Sequence, residues 1–276
     1  FYTYRFMKLF KFLVMSIFSM IMSVGFVACS SDDDDNNGGV SITSGKKLVR
    51  ISCEYKKINF SGYETINFTY GEDGKLARAS KNDNGNSICY IDLDWSGNTI
   101  TLTTHERWHE NPDKCTITLD NGKISKTTDG NETYKAIYSG NYLSKIIGGC
   151  LNEYTWENGN IVKNKYVDNE GDHYCTCTYY TDMPNKHSVF DVDALCFDDV
   201  ILPDHGDLLI MAHPTLLGLS NKNLLKSFTD NDGYQRYTRY YTYELDNDGY
   251  PIKITETEKE NQHDTGSTDV YTLTWE

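Results

Sequence analysis

His105-Glu-Arg-Trp-His109 carries the residue types of metal-assisted hydrolysis. On a helix, imidazoles four residues apart stand about 6 Å from each other and can share one zinc ion, with the intervening glutamate as general base. The flanking residues argue for another element. Thr99-Ile-Thr-Leu-Thr-Thr104 precedes the motif and Pro112 follows it. On a strand the two imidazoles would stand ~13 Å apart at ~3.3 Å per residue, too far to hold one ion. The motif therefore reads as a chance match in a hairpin, with no metal and no cofactor.

The other candidates weaken in the same way. Asp230-Asn-Asp-Gly233 and Asp246-Asn-Asp-Gly249 begin like calcium loops. Neither supplies the third spaced acid or the glutamate at the twelfth position, so both read as hairpin turns. Asp204, His205 and Asp207 could form an acid–base cluster, and His187 and His213 lie near them. In an irregular stretch they read as exposed loop residues. The chain has no G-x-S-x-G elbow, no phosphate loop and no paired nucleophile and base. It reads as a non-catalytic protein with no catalytic and no metal-binding residues.

The elements that carry these residues repeat. An aromatic or Leu, a short Asp/Asn/Gly turn and then Ile or Leu recur along the chain. Instances are Tyr70 to Leu76, Trp95 to Ile100, Leu119 to Ile124, Tyr138 to Leu143, Trp156 to Ile161 and Leu245 to Ile252. Glycine adopts the positive φ of a hairpin turn, and Asn or Asp tolerates it next best. The flanks alternate: Ile91, Leu93 and Trp95 face one way, Asp92 and Asp94 the other. Tyr271, Leu273 and Trp275 oppose Thr272 and Thr274 in the same manner. One buried and one wet face describe an antiparallel sheet. Trp95 and Trp156 belong to the core at repeat positions, whereas Trp108 lies in a polar hairpin and should be exposed.

Residues 188–228 interrupt the repeat. Val189 to Phe197 and Thr215 to Leu225 could each form a short helix, and Leu208-Leu209-Ile210-Met211 is an apolar run that needs cover. This insertion should plug or cap the sheet.

Eight cysteines divide into two groups. Cys29 ends an apolar run, Phe12 to Val27, that follows Lys8 and Lys11 and is too short for a spanning helix. With small Ala28 before it and Ser30-Ser31 and four aspartates after it, the stretch resembles a bacterial lipoprotein signal, cleaved before a lipid-modified cysteine. That resemblance implies a signal peptide over residues 1–28, with translation starting at Met7. It implies lipid on Cys29, a flexible acidic tether over 29–45, and a single β-rich domain over 46–276. The acidic tether resembles the surface-export signal of some Gram-negative lipoproteins, which implies the outer membrane, facing the exterior. The other seven cysteines are Cys53, Cys89, Cys115, Cys150, Cys175, Cys177 and Cys196. Several alternate with apolar residues and read as small core residues. Disulfides remain the rival reading for an exported chain.

Loss of residues 1–28 removes three bases and no acid, leaving 23 bases against 40 acids, a formal charge of −17. Nucleic acid is excluded as a partner, because phosphate binding needs clustered positive charge. The domain length, 21 Tyr and only five Pro suit one large all-β domain.

Leu217 to Ser227, Tyr241 to Ile254 and the closing Tyr-Thr-Leu-Thr-Trp strand resemble a bacterial lipoprotein family of unknown function described as having a porin-like fold. The likeness spans residues 46–276. It implies a large curved antiparallel sheet or partial barrel of hairpins and transfers no activity and no site residues. The expected function is a surface-anchored binding or scaffold module. Its partner would be a surface protein or a glycan, the latter stacked on aromatics such as Trp108. The alternative is a carrier of an apolar ligand or lipid in a cavity beside Leu208 to Met211.

Overall fold

The computed structural model describes residues 45–149, 151–168, 171–185, 201–202, 205–231 and 236–276. Over them the chain forms sixteen antiparallel strands. These are β1 (Leu48–Lys56), β2 (Ser61–Tyr70), β3 (Leu76–Asp83), β4 (Asn86–Ser96), β5 (Thr99–Glu106), β6 (Asp113–Asp120), β7 (Lys123–Asp129) and β8 (Glu132–Ser139). They continue as β9 (Tyr142–Ile147), β10 (Leu151–Glu157), β11 (Asn160–Asp168), β12 (Gly171–Pro184), β13 (Asn223–Asn231), β14 (Arg236–Leu245), β15 (Pro251–Glu260) and β16 (His263–Trp275). Each strand pairs with its sequence neighbours, and β1 pairs with β16 from Leu48↔Trp275 to Lys56↔Thr268. The barrel is therefore closed, which corrects the expected curved sheet or partial barrel. Closure removes both unpaired edges. The pairing responsible joins the two ends of the domain and leaves no local mark on either strand.

The repeat seen in the sequence is one end of this barrel. Its turns, such as Asn121-Gly122 (φ 49° and 74°) and Asn158-Gly159 (φ 51° and 82°), all fall at the end where Lys47 and Glu276 also hydrogen-bond. We call this end proximal. Here the aromatic at the end of each second strand reaches back to a carbonyl at the start of the first. Tyr70 Oη donates to Leu48 O at 2.8 Å and Trp95 Nε1 to Leu76 O at 2.8 Å. Tyr138, Trp156, Tyr179, Tyr243 and Trp275 bond in turn to the carbonyls of Ile124, Leu143, Ile161, Leu225 and Pro251. The β5–β6 unit has Leu119 at this position instead. The repeated aromatic thus packs its ring against the core and satisfies its own polar edge.

Inward positions of the proximal half form one apolar core. Ile66, Leu76, Ile91, Ile100, Leu102, Ile117, Ile124 and Ile146 are fully buried. A barrel of this strand number commonly leaves an aqueous lumen. Here an internal segment occupies it. Ile201 and Leu202 are buried, then α1 (Asp207–Ala212) and a 3₁₀ turn (Pro214–Leu217) run to the proximal end. Leu208, Leu209, Ile210 and Met211 are all buried in the core cluster. The segment's path is fixed at both levels: His205 meets Glu106 at the distal end of β5, and His213 meets Leu76 at the proximal start of β3.

The expected boundaries of the insertion change accordingly. β13 begins at Asn223, inside the expected 188–228 span, because Leu225 and Phe228 pair into the sheet. Of the expected Thr215–Leu225 helix only residues 215–217 are helical, as part of the 3₁₀ turn, and Gly218, at φ 88°, ends it. The apolar run at 208–211 is itself the helix. The Val189–Phe197 expectation lies outside the described residues, as do Cys29, Cys150, Cys196, His187 and Asp204. Leu208 to Met211, beside which the apolar-ligand alternative places its cavity, are buried in the core cluster.

Most outward positions are polar, with Ile137, Ile147 and Ile252 among the exposed apolar exceptions. β3 to β7 present Arg78, Asp92, Asp94, Thr101, Thr103, Lys114, Thr116 and Lys126, and β15 and β16 present Thr255, Thr257, Thr272 and Thr274. A membrane-spanning barrel needs an apolar band on this surface. The apolar face here points inward.

Candidate functional site

His105 is in strand β5, not a helix, as the flanking residues predict. It faces outward, with its ring stacked on Tyr90 at 4.3 Å and Nε2 3.6 Å from Asp92. On its other side Tyr90 carries the Arg78 guanidinium at 4.6 Å, itself paired twice to Asp92. Glu106, the next residue, points to the opposite face, as strand alternation demands. The motif is thus split across the barrel wall, and His105 and His109 do not converge.

Glu106 is instead joined to two other imidazoles. Its Oε1 lies 3.1 Å from His205 Nε2 and its Oε2 3.3 Å from His109 Nδ1, while Asp113 stands 3.8 Å from His109. His205 comes from the internal segment and His109 from the β5–β6 hairpin, residues 107–112. The hairpin is fixed by Arg107 N–H donating to Ile88 O and His109 N–H to Glu106 O. Between it and the start of β4 lies a groove of about 360 Å³. Asn86, Ser87, Tyr90, His105, Glu106 and Arg107 contribute to its lining, and Glu110 and Pro112 close one side. Trp108, 72 % exposed, belongs to the same hairpin, between the lining residues Arg107 and His109 but not itself part of the lining, with the Arg107 guanidinium 4.7 Å from its ring centre. Trp108 is thus exposed, as its polar surroundings predict. His205 is half-buried and bonded rather than a free loop residue, and the sequence carries no signal for its pairing with Glu106.

The remaining sequence candidates resolve into structural roles. His213 is buried, and burial lowers it to about 4, with Lys47 adding to the effect. The neutral ring accepts the Leu76 N–H at its Nε2, between the edges of Tyr70 and Trp95. Asp246 organises its turn: Oδ1 accepts from the N–H groups of Asp248 and Tyr250, and Oδ2 takes Lys46 Nζ at 2.8 Å. Burial raises its carboxyl, but Lys46 and these two N–H groups outweigh that and hold it below the usual range. Asp230 accepts from the Cys175 thiol at 3.5 Å. Cys53, Cys89 and Cys115 are free and buried, and Cys175 and Cys177 are buried. Burial pushes Cys89 and Cys115 up to about 12, so neither supplies a thiolate nucleophile near neutral pH.

A second cluster lies inside the distal half of the barrel. Asp269 and Glu256 face each other across β15 and β16, and both are buried. Lys57 Nζ is 3.6 Å from Asp269 Oδ2, Arg239 Nε is 3.5 Å from Glu256 Oε1 and 3.7 Å from Glu258 Oε2, and Lys81 Nζ is 3.1 Å from Glu64 Oε2. Tyr271 Oη bonds Glu256 at 3.1 Å. Burial raises Asp269 to about 6, with Lys57 and Arg239 opposing, and it raises Glu64 as well. Among the described residues no group of three or more metal-binding side chains could hold an ion.

Fold and site define a closed antiparallel barrel, filled by its own chain and bearing a polar groove at one rim. No family model matches the chain, and no curated protein does. Among solved structures, the crystal structure of a porin-like protein from Bacteroides uniformis aligns with a TM-score of 0.62 at 16 % identity. The alignment covers 83 % of this chain and 98 % of that one. The two share the barrel fold. An alignment with the Pseudomonas aeruginosa MucA/MucB complex has a TM-score of 0.13 and carries no structural argument.

Proposed function

We propose that this chain is a non-conducting, lipid-anchored binding module of the outer membrane that takes a saccharide in the groove beside Trp108. The position of that groove carries the reading. It lies on the distal rim, whereas residue 46, where the tether of Cys29 joins the domain, lies at the proximal end. A barrel hung from its N-terminus presents the groove away from the membrane. An exposed indole beside hydroxyl, amide, carboxylate and guanidinium groups offers the two contacts a sugar ring needs, an apolar face and directed hydrogen bonds. The occupied lumen and mostly polar outer wall favour a surface module over a pore.

A glycan array tests the reading. The wild-type chain should bind at least one saccharide class, and Trp108→Ala should weaken it at least tenfold with an unchanged melting temperature. No binder, or unchanged binding by the variant, overturns it. Anchoring is tested separately: radiolabelled palmitate should enter the wild type and not Cys29→Ala, and protease should remove the domain from intact cells.

A further inference from the structure

Glu106 holds an unusual position in the groove. Among the described residues it is the lining carboxylate that the internal segment touches, through His205. A carboxylate offers about four lone-pair directions. Oε1 is hydrogen-bonded to His205 at 3.1 Å, and His109 Nδ1 stands 3.3 Å from Oε2. Two imidazoles on opposite oxygens fix the plane of the group, and its side chain keeps 20 % exposure. The remaining lone pairs are therefore aimed before any ligand arrives, the condition under which a hydrogen bond adds most to affinity. His205 is itself held in the left-handed region, φ 66°. Non-glycine residues keep that conformation where their surroundings impose it.

The charges choose the ligand class. Glu106 and Glu110 line the groove, and Asp113 stands beside His109. Arg107 is the one lining arginine, and its guanidinium lies over the Trp108 ring. A uronate or sulfate would meet two carboxylates against the single guanidinium of Arg107, which the Trp108 ring already engages. Neutral hydroxyls would meet a fixed acceptor.

We propose that Glu106 is the hydroxyl-accepting group of this groove, that its ligand is a neutral saccharide, and that His205 of the internal segment is the positioning residue that aims it. The proposal rests on the groove being the binding site. The internal segment then serves the rim as well as the core: its tip sets the binding carboxylate.

Titration calorimetry of the full chain with neutral hexaoses of glucose, xylose and mannose, and with hexagalacturonate, tests this. At least one neutral hexaose should bind and hexagalacturonate should bind at least tenfold more weakly. Glu106→Gln should lose tenfold or more. His205→Ala should lose three- to tenfold and shift the Glu106 carboxyl ¹³C resonance, and His205→Gln, which keeps a donor, should restore both. Tighter binding of hexagalacturonate, or unchanged affinity in Glu106→Gln, overturns the assignment. A weakened His205→Ala whose Glu106 resonance does not move overturns the positioning role. If Trp108→Ala abolishes binding while Glu106→Gln leaves it intact, the groove reading stands and this inference falls. A wild type that binds no saccharide removes both.

Discussion

The two halves of the barrel interior solve the same problem with opposite chemistry. The proximal half is filled by aliphatic side chains and by α1, the distal half by Glu64, Lys81, Lys57, Asp269, Arg239 and Glu256. Apolar filling gains free energy from every methylene removed from water, about 25 cal/mol per Å². Charged filling has no such surplus, because desolvation of each ion offsets most of its pairing. The proximal half thus contributes stability, and the distal half is held in place by it. A pair there is costly to break and cheap to replace.

The largest effect should come from breaking a distal pair. Lys81→Met strands the Glu64 carboxylate, whose partner is 3.1 Å away, and should cost about 3–5 kcal/mol in urea unfolding. Adding Glu64→Leu should recover most of that loss. If the double variant is as unstable as the single one, the distal charges contribute stability and the contrast fails. Next comes the proximal half. Leu209→Ala, at a fully buried site on α1, should cost about 3 kcal/mol by lost burial and a residual cavity. A loss under about 1 kcal/mol would mean that α1 is loosely seated.

The smallest effect carries a pH signature. Asp269 is raised in the fold to about 6 by burial, above an unfolded value of about 3.9. The folded state binds the extra proton, so stability is greatest below the unfolded value and declines as pH rises through the folded one. Asp269→Asn should therefore stabilise by about 1–2 kcal/mol at pH 7.5, less than the full shift because Lys57 loses its partner. The gain should vanish below about pH 4. A constant difference across melting curves from pH 4 to 8 would show that Asp269 does not titrate in this window.

How much of this the residues disclose follows from range. Asn121-Gly122 sets its turn from two adjacent positions, and Ile91, Leu93, Asp92 and Asp94 show both faces of β4 within four residues. Such features are written locally, so the hairpin repeat is legible. Closure is not, since it joins Leu48–Lys56 to His263–Trp275. Nor is α1: its six residues have no side-chain cap, and an isolated helix that short does not form in water. The barrel walls supply what its own residues lack. Glu106 and His205 are 99 residues apart, with nothing in either neighbourhood to announce the other. Trp108 was readable because exposure follows from its immediate polar neighbours.

The aromatic-to-carbonyl bonds of the proximal end have a bearing on how the circle closes. Each ring works like a key cut for one alignment of its two strands. A slip of one residue would turn the ring outward and leave its carbonyl partner unmatched. One misaligned hairpin hardly matters in an open sheet, but in a closed one every error is carried round to the seam. Tyr70, Trp95, Tyr138, Trp156, Tyr179, Tyr243 and Trp275 check the alignment unit by unit. The last strand therefore arrives opposite the first already in step, and the seam between Leu48 and Trp275 can form late, when no other arrangement of the wall remains.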